Sequence, residues 1–409
     1  MFDFDYGIIG GGPAGYTLGM LLAQQGKKVV LFEKDKLGGT CLNRGCIPTK
    51  SLLHSSEVYK QALGSEEFGL KIDKTDFDFA KVAQKRDITI EKIRKGLELA
   101  VKNSGVKVVY SEAILKDKNT ICAEEEVYSC SEVISAIGSK PREIKGLEFD
   151  GDFILSSDDV LRLESLPKSV LIVGSGAIGI EWTRIFSNFG VEVSLVELAE
   201  HLCPLADIEV SKRIERIFKQ KKIKYYLNDK VDKIENKKVI LASGETIAPD
   251  FILVATGRVP QTLEGDFAKI IGDASGEIQL AHYAISQAKA LACGIDFKKD
   301  IVPSVIYGEP EIAWVGKREQ DCDENCQKLV LPITAIGKSW CDDATEGFIK
   351  LIVEDEKIVG AHIISKEASA LIQQVAIAMN LGLSVEKLKQ ICVAHPTYSE
   401  GIYELLMRV

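Results

Sequence analysis

Long apolar stretches are missing from this sequence of 409 residues. No run approaches the roughly 18 to 20 consecutive apolar residues that a membrane-spanning helix needs, so we expect no membrane partner. Blocks of like charge are also absent. The chain has 51 Lys and Arg against 60 Asp and Glu, a formal net charge of −9, which argues against nucleic-acid binding because that requires a basic surface. The stretch from Met1 to Asp5 has no basic residue that would begin a signal peptide, and we expect a cytoplasmic protein.

Clustered cysteine motifs are scarce, although the chain has ten cysteines. Thiols stay free in a reducing compartment, so these cysteines do not describe a disulfide scaffold. Cys322 and Cys326 lack a second pair or a nearby histidine that would complete four metal ligands, and we expect surface thiols and no metal site there. No motif surrounds Cys122, Cys130, Cys203, Cys293, Cys341 or Cys392. A functional pair must therefore be identified by its context.

A glycine-rich pattern occurs twice along the chain. Each copy has a short apolar run, then Gly-x-Gly-x-x-Gly, then apolar residues at helical spacing, which predicts a strand, a tight turn and a helix. The two glycine sets are separated by 164 positions (174 − 10) and consist of Gly10, Gly12 and Gly15, and of Gly174, Gly176 and Gly179. Glu33 and Glu197, which end the next apolar run of each copy, keep the same offset (197 − 33).

This double pattern is typical of two dinucleotide-binding units. Glycine permits the tight turn, the approach of the backbone to a pyrophosphate and the close packing of helix on strand, and the acid accepts hydrogen bonds from ribose hydroxyls. A carboxylate at Glu197 repels a 2′-phosphate, and no arginine lies close after it. The second unit is therefore predicted to bind NAD rather than NADP.

The cysteine pair follows the first unit, in Gly38-Gly-Thr-Cys41-Leu-Asn-Arg-Gly-Cys46-Ile-Pro-Thr-Lys50. A thiol placed between glycines at the start of a helix has a lowered pKa and is suited to exchange chemistry. Together with the later segment His395-Pro-Thr-Tyr-Ser-Glu400, this stretch resembles the motifs of the pyridine nucleotide-disulfide oxidoreductases. The resemblance extends over nearly the whole chain and implies a Cys41–Cys46 redox disulfide, FAD on the first unit and NAD on the second.

The resemblance also assigns roles to residues outside the cysteine motif. His395 would be the catalytic base and Glu400 the carboxylate that orients it, since a dithiol attacks only as a thiolate. Lys50 and Glu181 would form an ion pair beside the flavin. In this family the histidine reaches the cysteines of the other subunit, which implies a homodimer.

The cofactor contacts implied by the resemblance fall into two sets. For FAD they are Gly10, Gly12, Gly15, Glu33, Gly39, Thr40, Lys50, Ala113, Gly138, Asp273 and Ala281. For NAD they are Gly174, Gly176, Ile178, Gly179, Glu181, Glu197, Val231 and Gly257.

The expected architecture is α/β, with two Rossmann-like dinucleotide-binding domains plus an α+β C-terminal dimerisation domain. We assign 1–145 to the FAD-binding domain, 146–262 to the NAD-binding domain, 263–300 to a return segment of the FAD-binding domain and 301–409 to the dimerisation domain. Late strands ending at Gly-x-x-Pro turns are predicted at 132–141 and 250–260. A long helix is predicted at 81–104, later strands at 304–307, 347–353 and 358–364, and a further helix at 368–381.

The motifs are most similar to those of family members that oxidise dihydrolipoyl groups and reduce NAD⁺ to NADH. The substrate is then free dihydrolipoamide or a dihydrolipoyl group on a carrier domain, as in a 2-oxoacid dehydrogenase or glycine-cleavage complex. A glutathione- or mercuric-reductase-like enzyme is an alternative, which Glu197 disfavours because those enzymes use NADPH. A non-catalytic FAD-binding subunit is a third interpretation. It is motivated by the short connection from Gly257 to Gly272, only 15 positions (272 − 257), where relatives have a much longer segment.

Overall fold

The computed structural model describes residues 2–73, 75–265 and 267–409; Met1, the predicted start of the first domain, lies outside them. The N-terminal part combines a mostly parallel sheet with helices. Its strands are β1 (Phe4–Ile9), β2 (Val29–Phe32), β3 (Lys107–Val109), β4 (Ala113–Asp117), β5 (Thr120–Ala123), β6 (Glu126–Ser135) and β7 (Ser139–Pro141). Its helices are α1 (Pro13–Gln24), α2 (Gly39–Arg44), α3 (Cys46–Leu63) and α4 (Phe79–Asn103).

The first sheet has the strand order β3-β2-β1-β6-β5-β4. Strands β1, β2, β3 and β6 run parallel where they pair, whereas β4, β5 and the start of β6 form an antiparallel meander. All four residues of β2 are buried apolar side chains, as expected for a parallel strand covered on both faces. The predicted long helix is present as α4.

The second unit repeats this arrangement. Its strands are β8 (Ile154–Leu155), β9 (Ser169–Val173), β10 (Glu192–Val196), β11 (Lys224–Tyr226), β12 (Val231–Glu235), β13 (Lys238–Leu241), β14 (Thr246–Ile247), β15 (Phe251–Val254) and β16 (Arg258–Pro260), and its helices are α5 (Ala177–Asn188) and α6 (Ile208–Gln220). The parallel order β11-β10-β9-β15 matches β3-β2-β1-β6 of the first unit. The duplication inferred from the glycine spacing is therefore also a structural duplication.

The two predicted Gly-x-x-Pro turns take a different form in the structure. Residues 139–141 and 258–260 are the short strands β7 and β16, which pair antiparallel with each other. Pairing satisfies backbone groups that two separate turns would leave to solvent. The ends of the two nucleotide units are thereby joined directly.

The short return segment still completes the first sheet. Strand β17 (Lys269–Ile270) pairs parallel with β6, and helix α7 (Ala281–Cys293) packs on α1. Leu263 and Phe267 pack against the apolar cluster beneath the β4–β6 meander. The 15-position connection is therefore long enough to return the chain to the first domain.

The C-terminal part is an antiparallel sheet of order β18-β19-β22-β21-β20. Its elements are β18 (Ser304–Ile306), β19 (Glu311–Gly316), β20 (Gln327–Pro332), α8 (Gly337–Cys341), β21 (Phe348–Glu354), β22 (Lys357–Ser365), α9 (Ala368–Asn380), α10 (Val385–Leu388) and α11 (Glu400–Leu406). The predicted strands and helix are confirmed as β18, β21, β22 and α9, whereas β19 and β20 were not predicted. Within the described residues, no helix has both the length and the apolar character needed to cross a bilayer.

A buried ionic contact joins the second unit to the C-terminal sheet. Lys350 on β21 is fully buried, and its Nζ donates to Oδ1 of Asp207 at 2.8 Å and also to Glu319. Asp207 in turn caps α6 by accepting from the backbone N of Glu209 at 2.9 Å. Since an unpaired buried charge is costly, these residues fix how the two parts dock.

The return segment should be sensitive to substitution at Gly265. Its φ is +140°, and an added Cβ would lie 2.4 Å from Cδ2 of Leu115. We expect Gly265→Ala to lower the free energy of unfolding by about 1–3 kcal/mol, measured from urea denaturation of the FAD-loaded protein. Gly96→Ala is the matched control, because Gly96 lies within α4 with no atom near its Cβ position, and it should stabilise by about 0.5–1 kcal/mol. Equal midpoints for Gly265→Ala and the parent chain would contradict this account of the segment.

Candidate redox and dinucleotide site

The third glycine of each motif is required by a backbone contact. A Cβ on Gly15 would lie 1.9 Å from the carbonyl oxygen of Gly10, and a Cβ on Gly179 would lie 2.0 Å from that of Gly174. At these distances a Cβ would overlap the carbonyl oxygen, so only glycine fits at either position. Each strand–turn–helix therefore closes as the sequence predicted.

The second glycine of each motif faces open space. The nearest atom to a Cβ on Gly12 would be 3.8 Å away, and none lies within 4 Å at Gly176. These glycines precede α1 and α5, whose first turns have no side-chain cap among the described residues. Free N–H groups and the helix dipole favour a phosphate at such a position. Both cradles fit the pyrophosphate of a dinucleotide.

Glu33 is held in place by the loops around it. Its Oε2 accepts from the backbone N of Gly11 at 2.9 Å, and its Oε1 accepts from the backbone N of Asp35 at 2.8 Å. The side chain is buried at 8% exposure, at the end of β2 beside the glycine turn. A carboxylate so oriented can accept hydrogen bonds from ribose hydroxyls.

Glu197 has the equivalent position in the second unit. Its Oε2 accepts from the backbone N of Ser175 at 2.8 Å and from the Ser175 hydroxyl at 2.6 Å, and its Oε1 accepts from the backbone N of Ala199 at 2.9 Å. Ser175 and Ala199 lie 164 positions after Gly11 and Asp35 (175 − 11, 199 − 35). The Ser175 hydroxyl is a positioning contact that was not identified from the sequence, although the common offset pointed to that position.

The cysteine pair lies where the short helix α2 meets α3. Cys41 is within α2, and Cys46 is the first residue of α3. The Nδ2 of Asn43 donates to the carbonyls of Leu37 at 3.1 Å and Gly39 at 3.0 Å, which fixes the preceding loop. Asn43 lies within the predicted cysteine motif, but this positioning role was not predicted from the sequence.

The two thiols differ in acidity. The pKa of Cys46 is lowered to about 7, because the Cys41 thiol donates a hydrogen bond to it and Lys50 lies nearby. The same hydrogen bond, together with burial, raises the pKa of Cys41. The N-terminus of α3 also favours a thiolate at Cys46. In the reduced pair, Cys46 is therefore the thiolate and Cys41 the thiol.

Lys50 and Glu181 form the predicted ion pair. Nζ of Lys50 lies 2.9 and 2.8 Å from the two carboxylate oxygens of Glu181, and Glu181 is almost completely buried. The backbone N of Tyr307 donates to Oε1 of Glu181 at 3.0 Å, and the Tyr307 ring lies 4.8 Å from Nζ of Lys50. Tyr307 comes from the C-terminal domain, and no sequence signal linked it to this pair.

Asp273, a predicted FAD contact, lies at the β7–β16 junction. Oδ2 of Asp273 accepts from the hydroxyl of Ser139 at 2.6 Å, and that hydroxyl accepts from Nε of Arg258 at 2.8 Å. Ser139 and Arg258 were not predicted as site residues. The buried Oγ1 of Thr256, beside Gly257, has no hydrogen-bond partner among the described residues, which leaves an acceptor and donor free for a bound group.

The other predicted contacts lie at or near the ends of helices and strands. They are Thr40 in α2, Ala113 at the start of β4, Gly138 between β6 and β7, Ile178 in the first turn of α5, Val231 at the start of β12 and Ala281 at the start of α7.

His395 and Glu400 form the predicted dyad. Nδ1 of His395 lies 2.7 Å from Oε1 of Glu400, whose Oε2 accepts from the backbone N of Thr397 at 2.8 Å. The hydrogen bond to His395 and that from Thr397 lower the pKa of Glu400. The His395 side chain is 77% exposed, and within the part of the chain that the structure describes it makes no hydrogen bond to either cysteine.

The donor and acceptor sets fit FAD at the first unit and a nicotinamide dinucleotide at the second. Each unit offers an open glycine cradle, an uncapped helix start and an oriented carboxylate, as described above. The Lys50–Glu181 pair joins α3, which begins with Cys46, to α5 of the second unit. This defines a dinucleotide-dependent dithiol–disulfide oxidoreductase site.

Comparison with known families agrees with this class. The family described as pyridine nucleotide-disulphide oxidoreductase matches residues 4–289, and its dimerisation domain matches residues 302–406. The chain therefore belongs to the pyridine nucleotide-disulphide oxidoreductase family. This family and its dihydrolipoyl dehydrogenase members use FAD and NAD(H).

Its curated relatives include dihydrolipoyl dehydrogenases of bacteria and plants. A Bacillus subtilis enzyme of that name is 33% identical over 460 residues, covering 98% of this chain and 97% of the relative. The mitochondrial dihydrolipoyl dehydrogenase 2 of Arabidopsis thaliana is 33% identical over 462 residues, covering 99% and 90%. The first alignment is longer than this chain by 51 positions (460 − 409), so at least that many relative positions have no counterpart here.

Solved structures share the fold over the full length. LpdA from Mycobacterium tuberculosis matches with a TM-score of 0.90 at 21% identity, covering 98% of this chain and 99% of that one. The HOCl-induced flavoprotein disulfide reductase RclA from Escherichia coli matches with a TM-score of 0.86 at 24% identity, covering 99% and 100%. At these identities the likeness concerns the fold.

Removal of the Lys50 charge should raise the pKa of Cys46. The reduced, FAD-loaded protein is titrated with pH while the ultraviolet absorbance of the thiolate is followed, with its Cys46→Ser counterpart subtracted. The parent midpoint should lie near the Cys46 pKa of about 7, and Lys50→Met should move it to higher pH because a nearby cation favours the thiolate. Lys60→Met, an exposed lysine further along α3, is the control and should leave the midpoint in place. If the midpoint of Lys50→Met equals that of the parent, the Lys50 charge does not lower the pKa of Cys46.

Proposed function

We propose that this chain is an NAD-dependent dihydrolipoyl dehydrogenase. The observation that carries the proposal is the position of Cys46, a thiolate at the start of α3, close to the Lys50–Glu181 pair that links the two dinucleotide-binding units. The full-length similarity to curated dihydrolipoyl dehydrogenases supports the same reaction. The substrate would be a dihydrolipoyl dithiol and the final acceptor NAD⁺.

The dithiol step follows from the unequal thiols. A substrate thiol gives its proton to His395, and the resulting thiolate attacks the sulfur of Cys41 in the Cys41–Cys46 disulfide. The Cys41–Cys46 bond breaks and Cys46 leaves as the thiolate, which Lys50 stabilises. The second substrate thiol then displaces Cys41 and its proton passes to the Cys41 sulfur, so that the substrate leaves as a cyclic disulfide, with Cys41 as the thiol and Cys46 as the thiolate.

The Glu400 carboxylate keeps His395 suited to this task. Its hydrogen bond to Nδ1 leaves Nε2 of the ring as the proton acceptor and stabilises the imidazolium that forms. The 77% exposure of His395 in a single chain supports an active site in which it faces the cysteines of a second copy. The dimerisation domain at residues 302–406 would build that homodimer.

The first unit would hold FAD and the second NAD. The residues proposed for FAD are the first glycine set with Glu33, Gly39, Thr40, Lys50, Ala113, Gly138, Asp273 and Ala281. Bound FAD supplies electron transfer from the reduced cysteines to the nicotinamide. The proposed domain limits are 1–145 with 263–300 for FAD, 146–262 for NAD and 301–409 for dimerisation.

The proposal also covers the molecule that carries the dithiol to the active site. The dithiol would be carried by a dihydrolipoyl arm on a carrier domain, such as that of a 2-oxoacid dehydrogenase or glycine-cleavage complex, or would be free dihydrolipoamide. The latter is the direct laboratory substrate.

His395→Gln tests the assigned proton acceptor. Stopped-flow reduction of the FAD-loaded enzyme by dihydrolipoamide should slow by about 10²- to 10⁴-fold, the contribution of a general base. Reduction of the same variant by NADH should keep its rate, because that step does not use His395. His201→Gln is the matched control, since His201 pairs with Glu215 at 3.2 Å in the second unit, and dihydrolipoamide should reduce it at the parent rate. A parent rate in His395→Gln, or equal slowing with NADH, would refute the assignment.

Glu197→Gln tests nicotinamide selection. The amide keeps the side-chain shape but loses the negative charge. That charge strengthens the hydrogen bond accepted from a 2′-hydroxyl and repels a 2′-phosphate. We expect kcat/KM for NAD⁺ to fall by about 10- to 100-fold, the range for a hydrogen bond to a charged group, and the preference for NAD⁺ over NADP⁺ to narrow. Glu200 is an exposed carboxylate in the same loop, and Glu200→Gln should leave both kcat/KM for NAD⁺ and the preference for NAD⁺ unchanged. If Glu197→Gln kept the parent ratio of kcat/KM for NAD⁺ to kcat/KM for NADP⁺, this role of Glu197 would be wrong.

A further inference from the structure

Two cysteines that the sequence placed among surface thiols come together with two carboxylates at one end of the C-terminal sheet. Strands β20 and β21 are antiparallel, and Gln327 pairs with Val353. The next pair along this ladder would be Cys326 and Glu354, so the register places them side by side. The fold therefore adds the Glu354 carboxylate, a ligand that the local sequence lacks.

Three side chains converge here. One sulfur or oxygen atom from each of Asp323, Cys326 and Glu354 lies within 4.8 Å of the other two. Cys322 lies four positions before Cys326 on the same loop, and its thiol donates to the carbonyl of Arg318 at 3.3 Å. We call Cys322, Asp323, Cys326 and Glu354 the thiol–carboxylate cluster.

The loop between the cysteines is folded rather than extended. The backbone N of Cys326 donates to the carbonyl of Asp323 at 3.4 Å, and the backbone N of Asn325 donates to Oδ1 of Asp323 at 2.9 Å. The first contact turns the chain back on itself, and the second orients the Asp323 carboxylate. Both cysteines and the aspartate thus approach the end of β21 together.

The charges of the cluster favour a cation. Two carboxylates beside two thiols disfavour thiolates unless a positive charge is added. At present Lys317 supplies one, with its Nζ 2.6 Å from Oε2 of Glu354, and the same ammonium is also close enough to interact with Cys326 and Asp323. A divalent ion would neutralise the carboxylates and the thiolates together, which the single charge of Lys317 does not.

We propose that the thiol–carboxylate cluster is a binding site for a thiophilic divalent cation of the zinc class. Asp323, Cys326 and Glu354 already converge, and the Cys322 sulfur would complete a tetrahedral set of two sulfur and two oxygen donors for zinc. Thiolates select such ions over calcium or magnesium. Around tetrahedral zinc the donor atoms lie about 3.3–3.8 Å apart, given metal–ligand bonds of about 2.0–2.3 Å. The three converging atoms need only a small contraction to reach that spacing.

Binding of the ion breaks two existing contacts. The Cys322 sulfur releases its hydrogen bond to the carbonyl of Arg318, now 3.3 Å long, and Lys317 moves from Glu354 into solvent. Both thiols lose their protons, so binding releases protons to the buffer. The site belongs to the C-terminal sheet and is independent of the Cys41–Cys46 pair and of the proposed reaction.

Zinc binding by the full-length, FAD-loaded protein tests this site. The background carries Cys41→Ser and Cys46→Ser, because a reduced active-site pair would bind zinc itself. Isothermal titration with Zn²⁺ in two buffers of different ionisation enthalpy gives the stoichiometry and the protons released. We expect one zinc per chain, with proton release, and at least about tenfold weaker binding after Cys326→Ser or Glu354→Gln.

Cys341→Ser in the same background is the control, because Cys341 is an exposed thiol outside the cluster, and its zinc binding should equal that of the background. Cys322→Ser with Cys326→Ser should abolish the site while the thermal unfolding midpoint without zinc stays unchanged. Absence of zinc binding in the background would overturn the proposal. Binding that survives the Cys322→Ser, Cys326→Ser pair would overturn it equally.

Discussion

The Lys50–Glu181 ion pair is the contact on which the rest of the site depends. Lys50 extends from the helix that begins with Cys46, Glu181 is buried on the helix that begins at the second glycine cradle, and Tyr307 of the C-terminal domain donates to the same carboxylate. Three parts of the chain thus meet around one charge pair. Removing Lys50 would leave the buried Glu181 carboxylate without its partner. The pair therefore fixes the thiolate helix, the nucleotide helix and the third domain relative to one another.

The two nucleotide units show how one local solution serves two cofactors. In each, a glycine with no room for a Cβ closes the turn, and an acid is oriented by the backbone of the loops on either side. The second copy differs by the hydroxyl of Ser175 on Glu197. The shortened connection after Gly257 leaves this arrangement intact, because β17 still pairs with β6. The geometry therefore gives no support to a non-catalytic FAD-binding subunit.

Features set by local sequence and by repetition were predictable, including the glycine turns, Glu33 and Glu197, and the parallel strands that follow them. Contacts between distant segments were not. Tyr307 lies more than a hundred positions from Glu181, and its backbone N–H carries no sequence signature. Strand β20 was missed because its residues alternate between exposed and buried within a charged stretch, a weak signal in so short a run. The same long-range pairing places Cys326 beside Glu354, which the cysteine spacing alone could not reveal.

The central claim is that electrons pass from a dihydrolipoyl dithiol through Cys41 and Cys46 to FAD and NAD⁺. Anaerobic titration of the FAD-loaded protein with dihydrolipoamide, followed by addition of NAD⁺, tests it most directly. The account predicts a long-wavelength change in visible absorbance on reduction, its reversal by NAD⁺ and the appearance of NADH. A flavin spectrum that dihydrolipoamide leaves unchanged, in a protein that NADH or NADPH reduces normally, would contradict the claim and identify a different disulfide as substrate.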